Sequence, residues 1–188
     1  ASSFRGLMRV QNSTFANALY GVTTPLDFMS TPENTKIEIY NNSFFSGKKG
    51  DCSLLVYDYI PVELKGNIIS SKKLIVKPDQ NGKYESKPIV SDYNVYTTEI
   101  DAYSLGENDT IVPQSSIGEI VKGVVENDIF EASLEDEGFY VKKLPTLINV
   151  KFEKGGGIKK MPKNATPVTD DQIGEIRSEV DYCVGAIE

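Results

Sequence analysis

Carboxylates are the chemistry this chain holds in quantity: it has 27 Asp and Glu and no His. Without imidazole there is no Ser-His-Asp or Cys-His nucleophile system, no HExxH metal site, no His-ligated haem and no facial-triad iron. Cys52 and Cys183 are too few for a Cys₄ zinc site and too far apart for a CxxC redox pair. Free buried thiols are expected of them, with a single disulfide as the alternative. Gly155-Gly156-Gly157-Ile158-Lys159-Lys160 has the flavour of a phosphate loop, but it lacks the GxxxxGK[ST] spacing and reads as a flexible turn. Asp128, Glu131, Glu135, Asp136 and Glu137 do not follow the EF-hand pattern, and a solvated acidic edge accounts for them. Paired carboxylates could hydrolyse a glycoside, yet a sugar groove wants aromatic platforms and Trp is absent. Tyr57, Tyr59, Tyr93 and Tyr96 could form a sugar-binding stripe, or pack across strands. No catalytic residue, cofactor or metal is therefore expected.

Charge points the same way. Lys plus Arg is 20, for a net charge of −7 and a pI near 4.8, against the basic face expected of a nucleic-acid binder. Before Asp27 there is no acid, only Arg5 and Arg9. A segment of that kind can dock on an acidic partner. No stretch approaches the length of a membrane span. Ala1 followed by small residues reads as a chain whose initiator Met was removed. Four N-x-[ST] sequons, at Asn12, Asn41, Asn108 and Asn164, matter only in a secreted eukaryotic protein.

Residues 1–35 are expected to form an extended N-terminal docking arm. They are rich in Ser, Thr and Asn, and Phe4, Leu7, Phe15 and Phe28 have no shared period. A short helix is foreseen within it, from Ser13 as N-cap through Phe15 and Leu19 to Gly21. Residues 36–160 read as a β-rich body. KIEIY at Lys36–Tyr40 alternates, CSLLVYDYI at Cys52–Ile60 is a covered strand, and KLIVK at Lys73–Lys77 turns at Asn81-Gly82 into YESKPIV. Phe44 and Phe45 fall in a Gly/Ser/Lys loop and are candidates for an exposed apolar contact. Ile117–Val125 fits a helix or a strand equally. Three more strands are expected at Ile129–Leu134, Gly138–Lys143 and Leu147–Glu153. Residues 161–188 are assigned to a linker and a C-terminal α-helix, with Thr169 as N-cap, Val168 stapled to Ile173, and Ile173, Ile176 and Val180 on one face. No internal repeat is evident. The fold expected is mainly β, a small sandwich or barrel built of hairpins.

With its ASSFRGLMRVQNSTF leader, hairpin-like KLIVKPDQNGKYESKPIV and Asn/Lys/Ile-rich usage, the chain resembles the auxiliary or decoration proteins of tailed-bacteriophage heads, including those of crAss-like gut phages. The resemblance implies a non-enzymatic structural protein of the virion, held on the capsid by contacts to the major capsid protein or other virion subunits, and it is compatible with a homo-oligomer. It implies no nucleic-acid or membrane partner. Partner contacts are expected from Phe4, Arg5, Leu7, Arg9, Phe15, Leu19, Phe28, Phe44 and Phe45. The alternative from another class is a secreted or surface-displayed carbohydrate-binding β module.

Overall fold

A computed structural model describes residues 6–16, 20–23, 35–45, 52–57, 59–70, 73–77, 84–97, 99–100, 103–112, 160–162, 164–172, 174–177 and 181–186. The first strands are β1 (Gly6–Gln11), β2 (Thr14–Ala16) and β3 (Tyr20–Thr23). The same triplet recurs as β4 (Thr35–Tyr40), β5 (Ser43–Phe45) and β6 (Cys52–Tyr57). It recurs again as β7 (Val62–Lys65), β8 (Ile68–Ser70) and β9 (Lys73–Lys77). A fourth round gives β10 (Ile89–Asp92) and β11 (Val95–Tyr96), followed by β12 (Thr110–Ile111). Late in the chain come β13 (Lys160–Pro162) and β14 (Asp181–Cys183), paired antiparallel.

Successive strands join different sheets. One sheet runs β1-β4-β7-β10, a second β12-β11-β8-β5-β2 and a third β3-β6-β9. Every pairing within them is parallel. Met8 lies beside Ile37, Ile37 beside Val62 and Val62 beside Ile89, so the coil repeats after 29, 25 and 27 residues. Parallel neighbours need a long connection, and here the rest of each coil supplies it. The architecture is a three-sided parallel β-solenoid, in which each coil buries its apolar face only by stacking on its neighbours. The interior is a column of like side chains: Ile37 and Ile39 beside Val62 and Leu64, Phe44 beside Ile69, all buried.

A two-residue corner joins the first sheet to the second in every coil. Its first residue has positive φ: Asn12, Asn41, Gly66 and Tyr93. Its second is Ser13, Asn42, Asn67 or Asn94, and the three Asn are fully buried. Each Asn Oδ1 accepts the backbone N–H of the corner before it: Ser13 to Asn42 at 3.0 Å, Asn42 to Asn67 at 2.9 Å and Asn67 to Asn94 at 3.0 Å. Each Nδ2 donates to a carbonyl of the preceding coil, Val10 for Asn42, Ile39 for Asn67 and Leu64 for Asn94. A buried amide is tolerated only when so satisfied. The ladder ends at Asp109, whose Oδ1 accepts from Asn94 N at 2.8 Å. The last rung has only to accept, which suits a carboxylate.

The structure corrects several expectations. Mainly β holds for the described residues, but the body is coiled and not built of hairpins: KLIVK pairs parallel with β6, and Ile89–Asp92 parallel with β7. An internal repeat exists. Residues 6–16 and 20–23, assigned to an arm, are the first coil, in register with β4, β5 and β6. Residues 14–16 are extended strand, not helix. Among the described residues of 161–188 there is no helix. Asp170 and Ile176 form an antiparallel bridge, Ile176 is 85% exposed, and 181–183 is strand. Local capping signals there lose to hydrogen bonds made with the coils. Ile117–Val125, the three strands expected between 129 and 153, the acidic run at 128–137 and the triple glycine lie outside the described residues.

The late segment is a strap along the corner row. Asn12 Nδ2 donates to Asp170 O at 2.7 Å, Thr166 Oγ1 donates to Asn41 Oδ1 at 3.0 Å, and Gly185 N donates to Gly66 O at 2.6 Å. It therefore crosses three coils. Gly66 has φ +67, and a Cβ there would sit 2.6 Å from Met161 Sδ, so any other residue would have to displace the Met161 side chain of the strap.

Candidate functional site

At the far end, residues 103–109 fold back over β10. Gly106 passes so close that a Cβ would lie 1.9 Å from the Ser91 carbonyl oxygen. Ser91 Oγ is 2.7 Å from Tyr96 OH and donates to Asp109 Oδ2, and Tyr96 OH is 3.1 Å from Tyr103 OH. Burial, then the neighbouring Tyr103 and Asp109, pushes the Tyr96 hydroxyl well above its ordinary pKa, and burial does the same for Tyr103. The two tyrosine hydroxyls stay neutral and are paired within the cluster, which packs on the last described coil with Ile89, Tyr103 and Leu105 partly buried.

At the near end nothing among the described residues pairs with the outer edge of β1. Met8, Val10 and Phe15 pack on the core yet are only partly buried, while the residues beneath them, Ile37, Ile39 and Phe44, are 0%, 0% and 1% exposed. The Phe15 ring stacks on Phe44 at 4.8 Å with 7° between planes. Leu7, on the outer face of the same strand, is 54% exposed.

Arg9 anchors this edge. Its Nε and Nη2 both reach Glu38 Oε2 at 2.7 Å, and its guanidinium lies 5.7 Å from the Tyr40 ring centre. The network continues across the sheet: Lys36 to Glu38 at 2.9 Å, Lys36 to Glu63 at 2.6 Å and Lys65 to Glu63 at 2.6 Å. Burial works to raise the Glu63 carboxyl, but hydrogen bonds from Lys36 and Lys65 outweigh it and hold the pKa at about 2. Glu38 is lowered too, burial opposing and Lys36 and Arg9 prevailing. Desolvation and the two carboxylates push Tyr40 upward.

The residues expected to touch a partner are thus distributed unequally. Leu7, Arg9 and Phe15 come together on the first coil. Phe44 is not a loop contact but core, since β5 turns it inward onto Phe15; Phe45 lies in β5 beside it. Phe4, Arg5, Leu19 and Phe28 lie outside the described residues. Met8, Val10, Lys36, Glu38, Glu63 and Lys65 belong to this end and were not foreseen as site residues. Their signal was the shared apolar–Glu–apolar pattern of IEIYNN and VELKGN, 25 residues apart. The tyrosine stripe is not present: Tyr57, Tyr59 and Tyr96 are buried, with Tyr59 packed between Tyr57 and Tyr84. Among the described residues no three Cys, Asp or Glu side chains gather as metal ligands, and no helix is long and apolar enough to cross a membrane.

The strand order and its parallel stacking define a class, a β-solenoid. No family model, curated protein or solved structure matches the chain.

Proposed function

We propose that the protein is a non-enzymatic structural subunit of a viral particle, an auxiliary protein of a phage capsid, which docks on the shell through the open end of its first coil. The observation that carries the docking is the outer edge of β1, which no described strand pairs, with Met8, Val10 and Phe15 only partly buried behind it and Leu7 54% exposed. A solenoid needs a cap at each end. An exposed strand edge is a pairing surface that free proteins normally blunt. The virion assignment draws on the resemblance of leader and composition, and on the absence of imidazole chemistry.

The test is incorporation. Leu7→Lys changes an exposed side chain and leaves the coil intact, so its melting temperature should match that of the parent chain. Co-sedimentation with the particle the native protein travels with, identified by mass spectrometry, should fall at least tenfold. Normal incorporation of a folded Leu7→Lys chain, or sedimentation with no large particle, would overturn the reading.

A further inference from the structure

We propose that the outer edge of β1 takes up an extended strand of a partner protein with the pattern apolar–acid–apolar. The inference rests on the docking function above and names how the partner is recognised. The chain itself shows the rule. The inner edge of β1 pairs with Ile37-Glu38-Ile39, in register with Met8-Arg9-Val10. The next strand, Val62-Glu63-Leu64, repeats the pattern on β4. In these two layers the apolar residues continue the core column and the acid joins the charged row on the outer face, whereas β10 carries Ile89-Val90-Ser91 in the same places.

At the outer edge both halves of this pattern are wanting. Met8 and Val10 are incompletely covered. Arg9 spends Nε and Nη2 on Glu38, and Nη1 has no partner among the described residues. A carboxylate arriving opposite Arg9 would meet that nitrogen, and flanking apolar residues would lie over Met8 and Val10. The pattern reads the same in both directions, so parallel and antiparallel addition both satisfy it. The leader carries no acid before Asp27, so the charge of this edge favours an acidic strand over a second copy of itself. Backbone pairing supplies affinity and the alternate side chains supply selectivity, as in other strand additions.

The probe is a capped peptide with the chain's own Thr35–Tyr40 sequence, TKIEIY, against a control in which its Glu is Lys, each titrated into the full chain. Amide shifts should saturate and concentrate on residues 6–11, and the Lys peptide should bind at least tenfold more weakly. Arg9→Gln, which keeps a hydrogen bond to Glu38, should erase the difference between the peptides; Arg9→Glu should reverse it. No saturable binding, equal binding of both peptides, or shifts centred elsewhere would overturn strand addition. If the peptides fail while Leu7→Lys still loses the particle, docking stands and strand addition falls. If they succeed while the protein travels with no particle, strand addition stands and the virion reading falls.

Discussion

Asn67 shows at one position what the corner asks of a side chain. Its Oδ1 accepts Asn42 N, and its Nδ2 donates to Ile39 O and to Asn94 Oδ1. Asn67→Ala strands one buried donor and one buried acceptor, each costing about 1–3 kcal/mol, so a loss of about 3 kcal/mol is expected in urea unfolding. Asn67→Asp should cost at least as much, because a carboxylate cannot donate to Ile39 O; a neutral result for either would mean the ladder is not formed. Tyr93 holds φ +58 where the other corners have Asn or Gly. A bulky residue is strained there, so Tyr93→Gly should stabilise the chain by about 1 kcal/mol, read as a raised melting temperature. Glu63 gives the pH dependence its sign. Its folded pKa lies near 2, below the unfolded value, so its stabilisation is complete above about pH 4.5 and is lost as pH falls toward 2. Glu63→Gln should flatten the acid limb of a stability–pH profile over that window; an unchanged profile would remove the Lys36 and Lys65 bridges from the account. These corners were in plain view as sequons: Asn12-Ser13-Thr14, Asn41-Asn42-Ser43 and Asn108-Asp109-Thr110 each mark a rung of the ladder. Asn41 is wholly buried, so in this fold its sequon is a consequence of corner chemistry and not a glycosylation site.

The strap is the element the sequence misreports. Thr169, Gln172 and the spacing of Ile173, Ile176 and Val180 form a sound local case for a helix. Helices in proteins owe most of their stability to a buried face; Ile176 of the expected face is 85% exposed, Ile173 and Val180 lie outside the described residues, and Met161, Val168, Arg177, Val184 and Ala186 are buried. Arg177 is its fastening. The guanidinium donates to Asp170 O, Asn12 Oδ1, Gly185 O and Ala186 O, tying both ends of the strap to the first corner. Hydrogen bonds to a charged group are worth about 1.5–3 kcal/mol each at most, and several are lost together. Arg177→Met should therefore destabilise by about 3 kcal/mol and speed hydrogen exchange at Gly66 and Ser43 as well as in the strap. Fast exchange confined to residues 160–186 would show a strap that does not clamp the coils. Strands fared better, because β4, β6 and β9 announce themselves by alternation or by a dense apolar run. What alternation cannot reveal is the neighbour: a half-buried strand looks alike in a hairpin and in a coil.

For the molecule as a whole, strand content was legible and stacking was not. The repeat escapes a search for identity because only a skeleton recurs. MRVQNSTF, IEIYNNSFF and VELKGNIIS share apolar residues two apart, then a positive-φ corner, then Ser or Asn. Coil lengths also vary, since the connections differ while the stacked rows do not. Once the coils are aligned, the unaccompanied apolar groups of the leader acquire a reason: they form one end layer of a column over whose other described end Tyr103, Gly106 and Asp109 fold. The described residues shelter part of the leader, and among them nothing pairs with the outer edge of β1. Hydrogen exchange at Gly6–Gln11, compared between the isolated chain and the chain in its native particle, tests this most directly. The account expects β1 amides to exchange faster than those of β4 in isolation and to slow at least a hundredfold on assembly, with β8 unchanged. Equal protection of β1 in both states would contradict it.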